Sequence, residues 1–243
     1  MKLILPVLLI FFNIGELLSQ ADDITVNRVR RTLSAANNVS TIPSGMRTLP
    51  LQASELEGSY YLQEDYVPTN FILSADETVS NVPAKYNVRT NVFIINVNDS
   101  YGSLRGNLVR EFSFFDGLAD RRYVSSSTMP FNPLVSGTGF YNILYEGENI
   151  MLLGKTTYDI IPSNYNVALD VGERKSYIKL KTDYFILENS NYKQLRKFTK
   201  KNLAIFGGKK SDMKKFIESE SIDHKNEADL IKTIHYYQSL LAM

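Results

Sequence analysis

The sequence predicts a mainly β protein, an antiparallel barrel or sandwich, that ends in a C-terminal segment of about three short helices. Between residues 57 and 189, runs of β-branched and aromatic residues alternate with turn residues, which is typical of short antiparallel strands. These runs are not interleaved with helical patterns, so a parallel sheet is not expected. After residue 190 the apolar residues instead recur at the spacing of amphipathic helices.

The first residues of the chain predict a secretory signal. Lys2 precedes an apolar run from Leu3 to Phe12, and small or polar residues follow this run. The run is well short of the roughly 20 apolar residues that cross a membrane as a helix. We expect cleavage after Ala21, or after Gln20, with an uncleaved anchor as the alternative. The mature chain would then be periplasmic, outer-membrane-associated or extracellular, without a membrane span after cleavage.

The changes of pattern divide the chain into four segments. A signal peptide over 1–21 precedes a lead-in arm or short helix and loop over 22–56. The antiparallel β-domain covers 57–189, and the helical appendage covers 190–243. Cysteine is absent, which excludes disulfides, thiolate metal sites and cysteine nucleophiles. The 27 basic and 26 acidic residues leave a net charge of +1, so charge gives no support for binding nucleic acid.

Three strand-like runs and one hairpin define the predicted β-domain most clearly. The runs are rich in β-branched and aromatic residues, and they lie at Asn91–Val97, Val109–Phe115 and Ser176–Glu188. The segment FYNILYEGENIMLLGK predicts a hairpin, because Glu146-Gly147-Glu148 separates two strand-like runs. Gly147 is expected to adopt the positive φ that such a turn requires.

Three helices are predicted in the appendage. The first spans NYKQLRKFTKKNLAIF, residues 191–206, whose apolar side chains fall on one face. Ser211 is the expected N-cap of the second helix, with Asp212 in its first turn. Its inward-facing residues are Met213, Phe216 and Ile217. Asn226 is the expected N-cap of the third helix. The apolar stripe of that helix comprises Leu230, Ile234, Tyr237 and Leu241.

The stretch IFGGKKSDMKKFI, Ile205 to Ile217, has the composition of a phosphate-binding loop but not its pattern. Such a loop requires G-x-x-x-x-G-K-[ST] after a buried strand. Position 203 is Leu203 where the first glycine is required, and Lys210 stands where Ser or Thr is required. Gly207 is better explained as the left-handed residue that ends a helix. The sequence therefore predicts no nucleotide site.

Histidine and serine chemistry find little support in the sequence. His224 lies in a polar link and His235 on the last predicted helix, without the H-x-x-x-H or H-E-x-x-H spacing of a zinc site. Ser136, in LVSGTGF, does not match the G-x-S-x-G nucleophile motif. We therefore assign no catalytic, cofactor-binding or metal-binding residue and expect no cofactor.

Two further features offer weaker hypotheses. Asp116 and Asp120 flank a glycine loop beside Arg121 and Arg122, so they could act as paired carboxylates, cap a turn or pair with the arginines. Between Lys193 and Lys215 there are nine basic residues and one acidic residue. A solvated helix face explains this basic cluster, with contact to an acidic polymer or partner as the alternative.

Three segments carry a resemblance to known proteins. They are GSYYLQEDYVPTNFILSADETVSNVPAKYNV, FYNILYEGENIMLLGK and KKNLAIFGGKKSDMKKFIESESIDHKNEADLIKTIHYYQSL, which together span most of residues 57–241. In these segments the chain resembles a group of uncharacterised exported proteins of Bacteroidota. Tyr60 stands where a proline is expected for the group. The resemblance implies an exported β-domain with a lysine-rich helical ending, and it carries over no functional residue.

The function predicted from these observations is non-enzymatic. We expect an envelope- or surface-associated protein that binds a protein or glycan partner, with exposed tyrosines as the contact residues. One alternative is a polysaccharide-active hydrolase that uses paired carboxylates. A second alternative is a small-molecule carrier with a cavity inside a barrel.

Overall fold

The computed structural model describes residues 56–97, 100–129 and 138–242. The predicted signal peptide, the lead-in segment up to residue 55 and Ser136 lie outside the described residues.

Eleven strands and two α-helices are found within these ranges. The strands are β1 (Leu56–Glu57), β2 (Val67–Leu73), β3 (Thr78–Asn87), β4 (Val92–Val97), β5 (Ser100–Arg105), β6 (Val109–Phe115), β7 (Asp120–Ser125), β8 (Phe140–Glu146), β9 (Ile150–Ile161), β10 (Ser176–Glu188) and β11 (Asn191–Leu195). The helices are α1 (Lys210–Ser219) and α2 (Glu227–Leu241), and α1 follows a 3-10 helix at Asn202–Lys209.

All of these strands belong to one sheet in the order β1-β10-β9-β8-β7-β6-β2-β3-β4-β5, and β11 also pairs with β10. Two meanders, β2 to β5 and β6 to β10, join where β6 pairs with β2. Every pairing is antiparallel except the short contact between β1 and β10. The mainly β, antiparallel character is thereby confirmed, and the predicted bounds of β6 and β10 agree with the structure.

The sheet is open and curled, with β1 and β5 at its two ends, whereas the sequence predicted an antiparallel barrel or sandwich. Phe93 on β4 contacts Phe140 on β8 at 5.6 Å between ring centroids, although four strands separate β4 from β8 in the sheet. The concave face therefore closes on an aromatic cluster. The cluster comprises Phe71, Tyr86, Phe93, Phe112, Phe114, Tyr123 and Phe140.

The C-terminal elements supply the second layer that a sandwich would take from another sheet. Their apolar residues pack against Ile150 and Leu152 of β9 and Ile186 of β10. The buried residues contributed by the C-terminal elements are Leu195, Leu203, Phe206, Met213, Leu230, Ile234, Tyr237 and Leu240. Burying this apolar surface against helices removes the need for a second sheet over β8 to β10.

The first predicted helix, over residues 191–206, is largely wrong. Residues 191–195 form β11, residues 196–201 form neither helix nor strand, and only residues 202–206 are helical, as part of the 3-10 helix. Asn189 and Ser190 both adopt positive φ, at 46° and 65°, and they reverse the chain in two residues. Two consecutive positive φ values are typical of the tight hairpin turn that joins twisted antiparallel strands. Tyr192 then stacks on Phe185 of β10 with 4.6 Å between ring centroids. This pairing with β10 prevails over the helical spacing of the segment.

The helices of the appendage follow the sequence in part. Asn226 is the N-cap of α2, as predicted, and its side chain accepts hydrogen bonds from the backbone N–H groups of Ala228 and Asp229. The cap predicted at Ser211 is wrong, because α1 begins one residue earlier, at Lys210, without a side-chain cap. Leu240 rather than Leu241 completes the buried stripe of α2.

The hairpin between β8 and β9 forms as predicted, but the role assigned to Gly147 is wrong. Gly147 is not among the residues with positive φ. A Cβ at this position would instead collide with the side-chain amide of Gln238 on α2. The Gln238 oxygen accepts a hydrogen bond from the Tyr145 hydroxyl. A residue with a side chain here would have to displace this amide, which is the flexible end of a side chain on α2.

We expect Asn226→Ala to lower the free energy of unfolding by about 1 kcal/mol, because two backbone N–H groups lose their acceptor. Urea denaturation followed by circular dichroism measures this change. Asn226→Asp keeps a capping oxygen and serves as the matched control, with a much smaller loss expected. Equal stability of the wild type and Asn226→Ala would show that the cap does not stabilise α2.

Candidate functional site

A cleft with both apolar and polar lining residues lies between the aromatic cluster and α2. Its volume is about 710 Å³, within the range of ligand-binding cavities. Phe114 and Tyr123 belong to one wall, and Glu227 at the start of α2 belongs to another. The remaining lining residues are Leu62, Gln63, Val67, Phe115, Asp116, Gly117, Arg121, Asn142, Thr156, Leu180 and Thr182.

Arg121 joins two carboxylates at the edge of the cleft. Its Nε donates to Asp116 Oδ2 at 2.5 Å, and a terminal guanidinium nitrogen donates to Glu227 Oε2 at 2.7 Å. Asp116 Oδ1 also accepts from the backbone N–H groups of Leu118 and Ala119. The bond from Arg121 and these two backbone bonds lower the pKa of Asp116 to about 2. Asp116 is therefore ionised, caps the β6–β7 turn and ties that turn to α2 through Arg121.

The two predicted carboxylates are not equivalent in the structure. Asp116 lines the cleft, whereas Asp120 is exposed at the first position of β7 and does not line it. A glycosidase needs one carboxyl group with a raised pKa to act as the general acid. The lowered pKa of Asp116 is the reverse of this requirement. Arg122, the second arginine of the motif, pairs with Glu111 and Glu146.

Two amide side chains of the cleft carry buried oxygens without a hydrogen-bond donor. They are Asn142 Oδ1 on β8 and Gln63 Oε1 in the segment that precedes β2. A buried polar atom without a partner costs about 1–3 kcal/mol, so such atoms call for an explanation. Neither oxygen is accessible from the cleft, so a ligand there would reach them only after their side chains turned toward it. An isolated Asn or Gln gives no sequence pattern, so the sequence alone does not indicate these residues.

Tyrosines and two cations form a second surface, which we call the tyrosine strip. It comprises Tyr60, Tyr61, Tyr66, Tyr101 and Tyr158 with Lys85 and Arg89. Tyr158 packs edge-on against Tyr60 at 4.9 Å between ring centroids, and Arg89 lies 4.9 Å from the Tyr60 ring. Lys85 lies over the rings of Tyr61 and Tyr66, at 4.4 Å and 4.8 Å. Tyr101, 68% exposed on β5, ends the strip beside Tyr66.

The other predicted residues do not come together. His224 lies 3.5 Å from Asp223 and near Phe198, whereas His235 is exposed and contacts Tyr145. Within the described ranges, no group of three or more His, Cys, Asp or Glu residues is arranged to hold a metal ion. In the part of the chain that the structure describes, no helix has the length and apolarity to cross a membrane.

The stretch from Ile205 to Ile217, which has the composition of a phosphate-binding loop, has a structural role. Gly207 adopts φ +53° and ψ −130° where the 3-10 helix meets α1, so its predicted positive φ is confirmed. This backbone conformation is strained for any residue with a side chain. The basic cluster lies largely at the surface, where Lys193 pairs with Glu188 and Lys214 with Glu218.

Comparisons with protein-family models, with curated proteins and with solved structures find no match for this chain. The resemblance to exported proteins of Bacteroidota therefore stays a prediction.

We expect Arg121→Met to raise the pKa of Asp116 from about 2 toward its ordinary value, because the largest cause of the lowering is removed. The rise is partial, since the backbone N–H groups of Leu118 and Ala119 still donate. A pH titration of the Asp116 carboxyl carbon by NMR measures it. Arg110→Met, which breaks the exposed pair with Asp76, is the control and leaves the pKa of Asp116 unchanged. An unchanged pKa in Arg121→Met would contradict the assignment.

Proposed function

We propose that this chain is a non-enzymatic binding protein of the cell envelope that holds a macromolecular partner across the tyrosine strip. The observation that carries the proposal is a pair of tyrosine groups linked through the neighbours Tyr60 and Tyr61. One group is Tyr60 and Tyr158 with Arg89, and the other is Tyr61, Tyr66 and Tyr101 with Lys85. Export to the envelope rests on the predicted signal over residues 1–21.

The physical argument is that tyrosine offers a large contact area at a small cost in conformational entropy. Its ring is rigid and apolar and its hydroxyl is polar, which is why Tyr is enriched in binding surfaces. The cations over Tyr60, Tyr61 and Tyr66 hold the rings in place before a partner arrives, because a cation above a ring face is attracted to it. A surface that is already ordered loses less entropy on association.

The strip extends over elements that are distant in sequence. Tyr60 and Tyr61 precede β2, Lys85 lies on β3, Tyr101 on β5 and Tyr158 on β9. Since the curled sheet brings these elements together, the strip is a property of the folded sheet. Tyr60, Tyr61 and Tyr66 lie in the segment between β1 and β2, whereas Tyr101 and Tyr158 lie on strands.

A second candidate is the binding of a polar small molecule in the cleft. A cavity of about 710 Å³ whose lining includes the polar residues Asn142, Thr156 and Thr182 favours it. This candidate is a form of the carrier hypothesis in which the ligand lies in a surface cleft. The centre of the curl is filled by the aromatic cluster, with Phe71, Phe93 and Phe112 each buried.

Photo-crosslinking tests the tyrosine strip directly. A photoreactive phenylalanine analogue replaces Tyr66 or Tyr101, and captured molecules are identified from native envelopes by mass spectrometry. We expect one reproducible partner from both positions. The matched control carries the analogue at Tyr236, a partly buried tyrosine that stacks on Phe216 in the helical layer. Capture of the same partners at all three positions, or of none at the strip, would contradict the proposal.

Loss of binding provides an independent measurement. We expect Tyr60→Ala and Tyr66→Ala each to weaken the captured complex by about 2 kcal/mol, roughly thirtyfold in Kd, as for central aromatic contacts. Tyr236→Ala is the control and leaves Kd unchanged. Wild-type affinity in both strip variants would exclude the strip as the contact surface.

A further inference from the structure

Lys155 on β9 is a buried lysine without a carboxylate partner. Its relative exposure is 8%. The ammonium donates to the backbone carbonyl of Thr138 at 2.8 Å and lies 4.5 Å from the centre of the Tyr141 ring. Among the described residues, no Asp or Glu forms an ion pair with it. Among the described residues, the backbone carbonyl of Thr138 and the face of the Tyr141 ring are the groups that stabilise the positive charge.

Lys155 lines a small pocket with a volume of about 120 Å³. Among the described residues that line it, none is acidic and only Lys155 is charged. Six of the other lining residues carry hydroxyl groups, namely Tyr86, Tyr123, Thr138, Thr156, Thr157 and Tyr158. The ammonium can only donate, whereas a hydroxyl can donate or accept, so this lining can hold a ligand made of acceptors.

Gly139 keeps the space between Lys155 and Tyr86 open. It adopts φ +101°, and a Cβ built on it would stand 3.1 Å from the Tyr86 hydroxyl and 3.7 Å from Lys155 Nζ. The Tyr86 hydroxyl is itself held in place, because it donates to Asn91 Oδ1 at 2.9 Å. The pocket is therefore bordered by fixed groups and by a residue without a side chain.

Burying a charge without a counter-charge is costly, and the cost is visible in the titration of the group. Burial lowers the pKa of Lys155 to about 8. An anion beside the ammonium would offset this cost and would accept charge-assisted hydrogen bonds from it. One water occupies about 30 Å³ in the liquid, so a pocket of about 120 Å³ has room for a group of acetate or phosphate size.

We infer that this pocket is a binding site for a small oxyanion group, of carboxylate or phosphate chemistry, held by Lys155. The ammonium donates to one oxygen of the anion, and lining hydroxyls other than that of Tyr86, whose proton goes to Asn91, donate to the others. The site is separate from the tyrosine strip in its chemistry, although Tyr158 belongs to both surfaces.

Lysine side-chain NMR of the full chain tests the inference, with sodium acetate and sodium phosphate titrated separately at constant ionic strength. The signal of Lys155 is assigned by its loss in Lys155→Arg. We expect this signal to move to saturation at millimolar anion, and its pKa to rise above about 8, because the anion binds the protonated amine. The anion that saturates at the lower concentration identifies the preferred chemistry. A Lys155 signal that moves no more than those of exposed lysines such as Lys181 would overturn the site.

Affinity measured by isothermal titration provides the matched variants. Lys155→Met removes the charge and keeps an unbranched apolar stem, so folding is retained and anion affinity falls at least tenfold. Lys181→Met removes an exposed lysine of the neighbouring strand, paired with Asp159, and leaves affinity unchanged.

Binding also weakens as pH rises through the pKa of Lys155. The other titratable groups around the ammonium are the phenols of Tyr86, Tyr123, Tyr141 and Tyr158, and burial raises the pKa of Tyr86 and Tyr123. Equal affinity of wild type and Lys155→Met would overturn the assignment.

Discussion

The curled sheet depends on the contacts that the Phe112 ring makes with other aromatic rings. Phe112 lies on β6 and meets six other aromatic rings, which come from β2, β3, β4, β6, β7 and β8. The closest is Tyr123, stacked at 4.6 Å between centroids, and Phe140 and Phe93 follow at 4.9 Å. Aromatic pairs at these distances stabilise a core beyond the area they bury. A flat sheet would hold β4 and β8 too far apart to share these contacts.

The helical layer covers apolar residues at the end of the sheet that lies away from the aromatic cluster. β8, β9 and β10 present apolar residues that the aromatic cluster does not reach, and the C-terminal elements cover them. Two polar ties fix the position of α2 over the sheet. Tyr145 donates to Gln238 beside Gly147, and Arg121 bonds Glu227 at the start of the helix. The sheet edge beyond β10 is partly paired by β1 and β11, which reduces the unpaired backbone there.

Both candidate ligand sites lie where the aromatic cluster borders polar side chains. The cleft separates the aromatic cluster from α2, and the Lys155 pocket adjoins the edge of that cluster at Tyr86, Tyr123 and Phe140. Apolar rings cannot fill the space beside polar side chains without leaving donors or acceptors unpaired. Unpartnered atoms of Gln63, Asn142 and Thr157 accordingly lie in these regions. The two sites share Leu62, Tyr123 and Thr156, so a ligand in one would contact residues of the other.

The sequence by itself determined the local structure wherever one face of an element is buried. The strands at Val109–Phe115 and Ser176–Glu188 and the cap at Asn226 follow from alternation and capping chemistry, which act within a few residues. Only the tertiary structure decided that the sheet stays open, that Asn191–Leu195 pairs with β10, and that Asp116 is held by Arg121. It also decided that Lys155 is buried beside Tyr141. The reason is that these outcomes depend on contacts between residues far apart in the chain, whose energies outweigh local preference.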